Sequence, residues 1–192
     1  MRQYVAPFET QGEQDMQSVL YFWFKEIDPS QWWVKDLAFD AQIHAQFKDI
    51  HHQAVLGELY QWRETPKGRL AEIIVLDQFS RNMYRDTPQS FAFDSLALVL
   101  AQEAIRVGDD KLLTPQERSF LYMPFMHSES LMIHERAVEL FSQPNMEHNL
   151  DFELRHKEII DKFGRYPHRN EILGRTSTAQ ELAFLQQPGS SF

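Results

Sequence analysis

The segment Phe163-Gly-Arg-Tyr-Pro-His-Arg-Asn170 places Arg165, His168 and Arg169 around one Gly/Pro turn, and Arg175 comes shortly after. Four of the twelve arginines lie between Arg155 and Arg175, in a chain of formal net charge −9. Guanidinium and imidazole groups gathered against the overall charge are what a phosphate or carboxylate site requires. Gly164 suits the left-handed residue that closes a helix, Pro167 stops its continuation, and His168-Arg-Asn-Glu-Ile-Leu173 reads as a short helix closed by Gly174. Arg165, His168 and Arg169 would then surround a helix amino terminus, whose free N–H groups favour an anion. The competing reading is structural: the arginines pair with the chain's own surplus of Asp and Glu and tie the tail to the body.

Two further groups sit where apolar residues are expected. In the helix opening at Pro66, Leu70, Ile73 and Ile74 form a stripe, and at about 100° per residue Asp77 falls within it, with Arg81 one turn later. Asp77 therefore faces the interior, either as an internal ion pair with Arg81 or as an acid orienting a histidine or Arg81 toward a ligand. Arg85 reads as a solvated surface residue that could extend the basic edge. The second group is Met126-His-Ser-Glu129, just after Pro124. Proline removes a helical hydrogen bond, so the helix should bend or end near it, with Ser128 available to cap the next one. His127 and Glu129 can then converge with other elements as a base and its orienter, although a hydrogen-bonded core histidine beside a simple cap explains the same residues.

The elements that would position these groups are helices. Asp28-Pro29, Thr65-Pro66, Thr87-Pro88 and Thr114-Pro115 each offer a capping oxygen followed by proline at the first helical position, and Thr114 with Glu117 and Thr178 with Glu181 form capping boxes. Glycine numbers only seven, and no Asn-Gly or Asp-Gly turn joins alternating apolar runs, so strands have no support. Helices are expected over 14–26, 36–56, 66–82, 88–107, 115–126, 129–142, 149–163, 168–173 and 178–187, about nine in one domain spanning 1–192, with 1–13 a loosely packed or flexible arm. The four prolines that open helices are 37, 22 and 27 residues apart, which fits an irregular helical array and no strict repeat. Phe120-Leu-Tyr-Met-Pro-Phe-Met126 is apolar nearly all round and belongs to an interior helix. Trp23, Trp32, Trp33 and Trp62 read as core anchors, and His51-His52 as surface residues.

Composition narrows the function. No cysteine is present, so disulfides, thiolate nucleophiles and Cys-bound zinc are excluded. The spacing of the histidines contains no His-x-x-x-His, Gly-rich phosphate loops are missing, and no metal or cofactor is expected. The acidic balance disfavours nucleic acid, which is bound by neutralising phosphates. The amino-terminal stretch lacks the layout of a signal peptide, and the apolar run Val19–Phe24 is far short of the roughly 20 residues of a membrane span. These features imply a soluble cytoplasmic protein without membrane partner.

Five stretches together are similar to a known family: Val19-Leu-Tyr-Phe-Trp-Phe24, Leu76-Asp-Gln-Phe-Ser-Arg-Asn-Met-Tyr-Arg85, Phe120 to Glu129, Phe163 to Asn170, and Leu173-Gly-Arg-Thr-Ser-Thr178. In this order they resemble the bacterial domain-of-unknown-function 924 family, over about Val19 to Phe192. The resemblance implies an all-α, tetratricopeptide-like α-α superhelix and no established activity. Its motifs fall on Asp77, Arg81, His127, Glu129, Arg165, His168, Arg169 and Arg175. Three readings are open. In the first, a pocket binds a small anionic ligand through Arg81, Arg165, Arg169 and Arg175, with His127 or His168 as acid/base and Asp77 or Glu129 as orienter, in chemistry of hydrolase or lyase type. In the second, the array binds an acidic peptide or a partner protein without catalysis. In the third, the polar groups form a buried network that locks helix packing.

Overall fold

Capping and burial account for most of the element boundaries. In the computed structural model, which describes residues 10–190, the chain forms eight helices and, among the described residues, no strand. Helix α1 (11–26) opens at a Thr10 capping box and ends in a π turn, Phe22–Glu26. Helix α2 is Leu37–Val55. Helix α3 (66–83) starts at Pro66, capped by Thr65, and passes through a π turn at Val75–Phe79. Then come α4 (Asp94–Val107), α5 (Pro115–Met126), α6 (Leu131–Phe141), α7 (Glu147–Phe163) and α8 (Ala179–Leu185). The capping boxes at Thr114 and Thr178 are both made. No helix is long and apolar enough to cross a membrane, among the described residues.

The core is built on α3 and α5. Leu70, Ala71, Ile73 to Leu76 and Phe79 are wholly buried in α3, and Phe120 to Met126 are buried in α5, as a helix apolar on every side requires. Helix α3 packs against α1, α2, α4 and α5, while α6 and α7 pair with each other beside α5. Trp23, Trp32, Phe24, Phe79 and Phe120 form ring contacts that are mostly edge-on, and that arrangement contributes beyond area burial alone. Gly68 permits a close approach: a β-carbon there would lie 1.9 Å from the Trp62 carbonyl oxygen.

Several expectations change. The ninth helix, over 168–173, is a 3-10 turn at Pro167–Arg169 continued by tight turns. Buried Asn170 explains this: its side chain bonds Ser177 and accepts from Arg175, drawing the chain beyond it back on itself. Thr87-Pro88 opens only the 3-10 turn Pro88–Phe91, because the Thr87 hydroxyl donates to the Tyr84 carbonyl and caps nothing. Asp28-Pro29 likewise opens a 3-10 turn, Pro29–Trp33. Of the arm expected over 1–13, residues 1–9 lie outside the described residues, and 10–13 form the cap and first turn of α1. His51 is buried, 2.8 Å from the Ser80 hydroxyl, and Trp33 is the exposed tryptophan. Arg85 is half-buried and grips Asp40 with two bonds of 2.6 and 2.8 Å. Helix α5 runs two residues past Pro124 and breaks at Met126, and Ser130, not Ser128, is the residue preceding α6.

Candidate functional site

Asp77 enters the site from the π turn of α3. The extra residue in such a turn rotates the helix beyond it, and π turns often mark functional positions. The Asp77 carboxylate is fully buried. Oδ1 accepts from His127 Nδ1 at 2.7 Å and forms an ion pair with Arg81 Nη1 at 3.0 Å, and Oδ2 accepts from the Gln78 amide at 2.6 Å. Burial opposes its charge, but Arg81 and then His127 more than offset it, so the Asp77 pKa is held far below the usual carboxylate range. Burial, and then the Arg81 charge, lower the His127 pKa, against the pull of Asp77. At neutral pH the ring is therefore a neutral imidazole facing an ionised acid, which fixes the proton on Nδ1 and leaves the lone pair on Nε2.

The backbone that carries His127 is held by side chains from distant elements. The carbonyls of Met126, His127 and Ser128, at the open carboxyl end of α5, accept respectively from the Tyr166 hydroxyl (2.5 Å), Arg169 Nη2 (3.0 Å) and His134 Nε2 (2.8 Å). His134 is itself fixed through Nδ1, 2.7 Å from Glu153, and both side chains are fully buried. Burial raises the Glu153 pKa. Three consecutive orphan carbonyls are thus satisfied, and the His127 ring is carried on a rigid turn.

Arg169 joins this turn to the rest of the site. Its guanidinium lies between the Phe91 and Tyr166 rings, 4.5 and 4.7 Å from their centroids. Nη1 bonds Asp94 Oδ2 at 3.1 Å, while Arg81 binds both oxygens of the same Asp94 at 2.9 and 3.0 Å. Arg169 Nε is buried with no protein acceptor among the described residues. Burial, and then the neighbouring Arg81, push its pKa down. A cleft of about 280 Å³ opens beside it. Its lining combines polar Asp94, Ser95, His127, Ser128, Glu129 and Arg169 with apolar Pro88, Phe91, Leu98, Pro124 and Leu173.

The sequence candidates divide accordingly. Asp77, Arg81, His127 and Arg169 converge on one site, with Glu129 at the cleft wall. Glu129 is fixed, however: Oε1 accepts from the Tyr166 N–H at 2.7 Å and from Arg175 Nη2 at 2.9 Å, and Oε2 from Arg175 Nη1 at 2.7 Å. Burial opposes the Glu129 charge, but Arg175 and the Tyr166 N–H overcome it and lower its pKa. The protein's own carboxylate therefore fills the place by the Pro167 turn that the sequence reading assigns to a ligand anion. Arg165 turns to Glu181, at 2.6 and 2.9 Å, and is not part of the cleft wall. His168 lies off the cleft, its ring 5.5 Å from that of Tyr166, and burial followed by the Arg169 charge lowers its pKa to about 4. Asp94, Phe91, Tyr166 and the His134–Glu153 pair do not stand out in the sequence. Asp94 reads there as an ordinary acid in the first turn of a helix, and only the fold brings it to two arginines. No group of three or more His, Asp or Glu among the described residues is arranged to hold a metal ion.

No curated protein matches the chain. A solved structure of a protein of unknown function from Agrobacterium tumefaciens is similar, with 40% sequence identity and a TM-score of 0.85 over 89% of this chain and 96% of that one. Residues 19–189 match the family described as bacterial proteins of unknown function, DUF924, and the chain belongs to that family.

Proposed function

We propose that the cleft beside His127 is a small-molecule site with acid–base chemistry of hydrolase or lyase type, acting on an anionic ligand in the cytoplasm. The observation that carries this reading is the Asp77–His127 pair at 2.7 Å, with Nε2 making no bond to any described residue and the His127 side chain 16% exposed at a cleft. An ionised acid on Nδ1 orients the ring and stabilises the imidazolium formed when Nε2 takes a proton from a water or a substrate. The proton then returns to the leaving group. Arg169, at the same cleft, is the cation nearest to any negative charge that develops there. Arg81 acts behind it, by aligning Asp77 and Asp94.

The test is a panel of nitrophenyl esters, nitrophenyl phosphates and hydroxy carboxylates assayed with the wild type and with His127→Gln. At least one substrate should be turned over by the wild type, with a loss of about 10²–10⁴-fold in the variant. Equal rates in both proteins, with the fold intact by circular dichroism, would remove His127 from the chemistry.

A further inference from the structure

The cationic groups near the cleft are unequally committed, and that inequality bears on what the cleft can hold. Arg165 is spent on Glu181, Arg175 on Glu129, and Arg81 on Asp77 and Asp94. Arg169 differs. It shares Asp94 Oδ2 with Arg81, gives its other terminal nitrogen to a neutral carbonyl, and keeps Nε–H without an acceptor among the described residues. Its side chain is only 8% exposed, so the unmatched charge sits in a largely dry setting. Among the cleft-lining residues it is the one cation.

We infer that the ligand of this cleft is a monocarboxylate carrying a compact apolar body, an aryl or branched alkyl carboxylate in class. The inference rests on the reading of the cleft as a ligand site and names what that site selects. A carboxylate brings a single negative charge, the amount that one incompletely matched guanidinium offsets through a charge-assisted bond. A phosphate ester brings nearly two negative charges, and Asp94 and Glu129 on the same walls would oppose the second. An amine meets the opposite obstacle: both oxygens of Asp94 and both of Glu129 already accept from arginine, so no carboxylate is left to receive it. Beyond the charged groups the lining is mostly apolar, with Pro88, Phe91, Leu98, Pro124 and Leu173 beside the Ser95 hydroxyl, and it suits an apolar body better than a sugar or an inorganic ion. The volume, about 280 Å³, lies just under the range of about 300–1,000 Å³ typical of drug-sized ligands, so that body is small.

Four probes separate charge from body: phenylacetate, acetate, phenyl phosphate and phenethylamine. Calorimetric titration of the wild-type protein, with the His127 ring proton followed by nuclear magnetic resonance, should give phenylacetate the tightest binding, by about tenfold or more over each of the others, and should shift the His127 signal. Arg169→Gln should weaken phenylacetate by tenfold or more. Should that variant unfold, Leu98→Asn tests the apolar wall alone and should bring phenylacetate down toward acetate. Binding of phenyl phosphate or phenethylamine as tight as phenylacetate would overturn the inference, as would equal binding of acetate, a Leu98→Asn protein unchanged toward phenylacetate, or no response to phenylacetate at millimolar concentration. These outcomes are read by binding, whereas the acid–base reading is read by turnover. Tight phenylacetate binding without turnover of any substrate would therefore count against the chemistry and leave the ligand class standing.

Discussion

Replacing Arg169 by Ala should destabilise the protein by about 2–4 kcal/mol, and the contributions can be worked from its contacts. The bond to the His127 carbonyl is a charged hydrogen bond of 3.0 Å, of a kind that contributes about 1.5–3 kcal/mol, toward the low end here because the cleft lets water reach that carbonyl. The two ring faces at 4.5 and 4.7 Å add roughly 0.5–1 kcal/mol each. The Asp94 bond adds little, because Asp94 keeps both bonds to Arg81 and is not stranded. Removing Asp94 is the sharper loss: Asp94→Ala withdraws the shared counterion from buried Arg169 and half-buried Arg81 and should cost about 3–5 kcal/mol. Urea unfolding followed by near-ultraviolet circular dichroism reads both, and for Arg169→Ala the midpoint should fall by roughly 1–2 M. If Arg169→Ala proves at least as damaging as Asp94→Ala, the sharing of Asp94 between two guanidiniums is wrong. If the Arg169 midpoint does not move, the guanidinium does not cap α5.

The buried histidines should make stability fall in mild acid: burial lowers the pKa of His51 to about 4, of His156 to about 3 and of His168 to about 4. Folded values below the unfolded 6.5 mean that the unfolded chain binds more protons, so the contribution is complete above pH 6.5 and is lost progressively as pH falls from 6.5 to about 4, and to about 3 for His156, at about 1.4 kcal/mol per pH unit for each proton by which the two states differ. A urea midpoint independent of pH between 6.5 and 4.5 would contradict that burial. Arg175→Ala should cost about 1–3 kcal/mol by leaving Glu129 with only the Tyr166 N–H, and Arg175→Lys should recover part of this at most, because a lysine cannot form the two parallel bonds; unfolding of the pair checks both. Asp77→Asn should abolish the fixed tautomer of His127 and reduce any His127-dependent turnover, while His127→Gln retains the Asp77–Arg81 pair and most of the stability.

The parts of this structure legible in the sequence are those set by local chemistry. Thr65, Thr114 and Thr178 cap the helices that their spacing predicts, Gly164 closes α7 in the left-handed conformation, and Asp77 is buried because its position on the stripe of α3 requires it. The 3-10 turn in place of a helix after Pro167 is less legible, because it depends on what the Asn170 side chain reaches and not on propensity. Ion pairing is least legible. The cluster Arg165, Arg169 and Arg175 is visible, but its carboxylates Glu181, Asp94 and Glu129 stand 16, 75 and 46 residues away along the chain. No periodicity links residues so far apart. The same holds for the three side chains that cap the end of α5, since Tyr166, Arg169 and His134 meet there only after α6 and α7 have folded back.

The acid–base chemistry requires His127 to be a neutral imidazole protonated on Nδ1, with Nε2 bare. Nitrogen-15 long-range correlation of the histidine rings measures this directly, with His127 assigned by comparison with His127→Gln. At pH 7.5 the spectrum should show a protonated Nδ1 and an unprotonated Nε2 for this ring, and titration should place its midpoint below 6.5. In Asp77→Asn the preference for Nδ1–H should disappear. A ring protonated on Nε2, or an imidazolium at pH 7.5, would rule out His127 as the base.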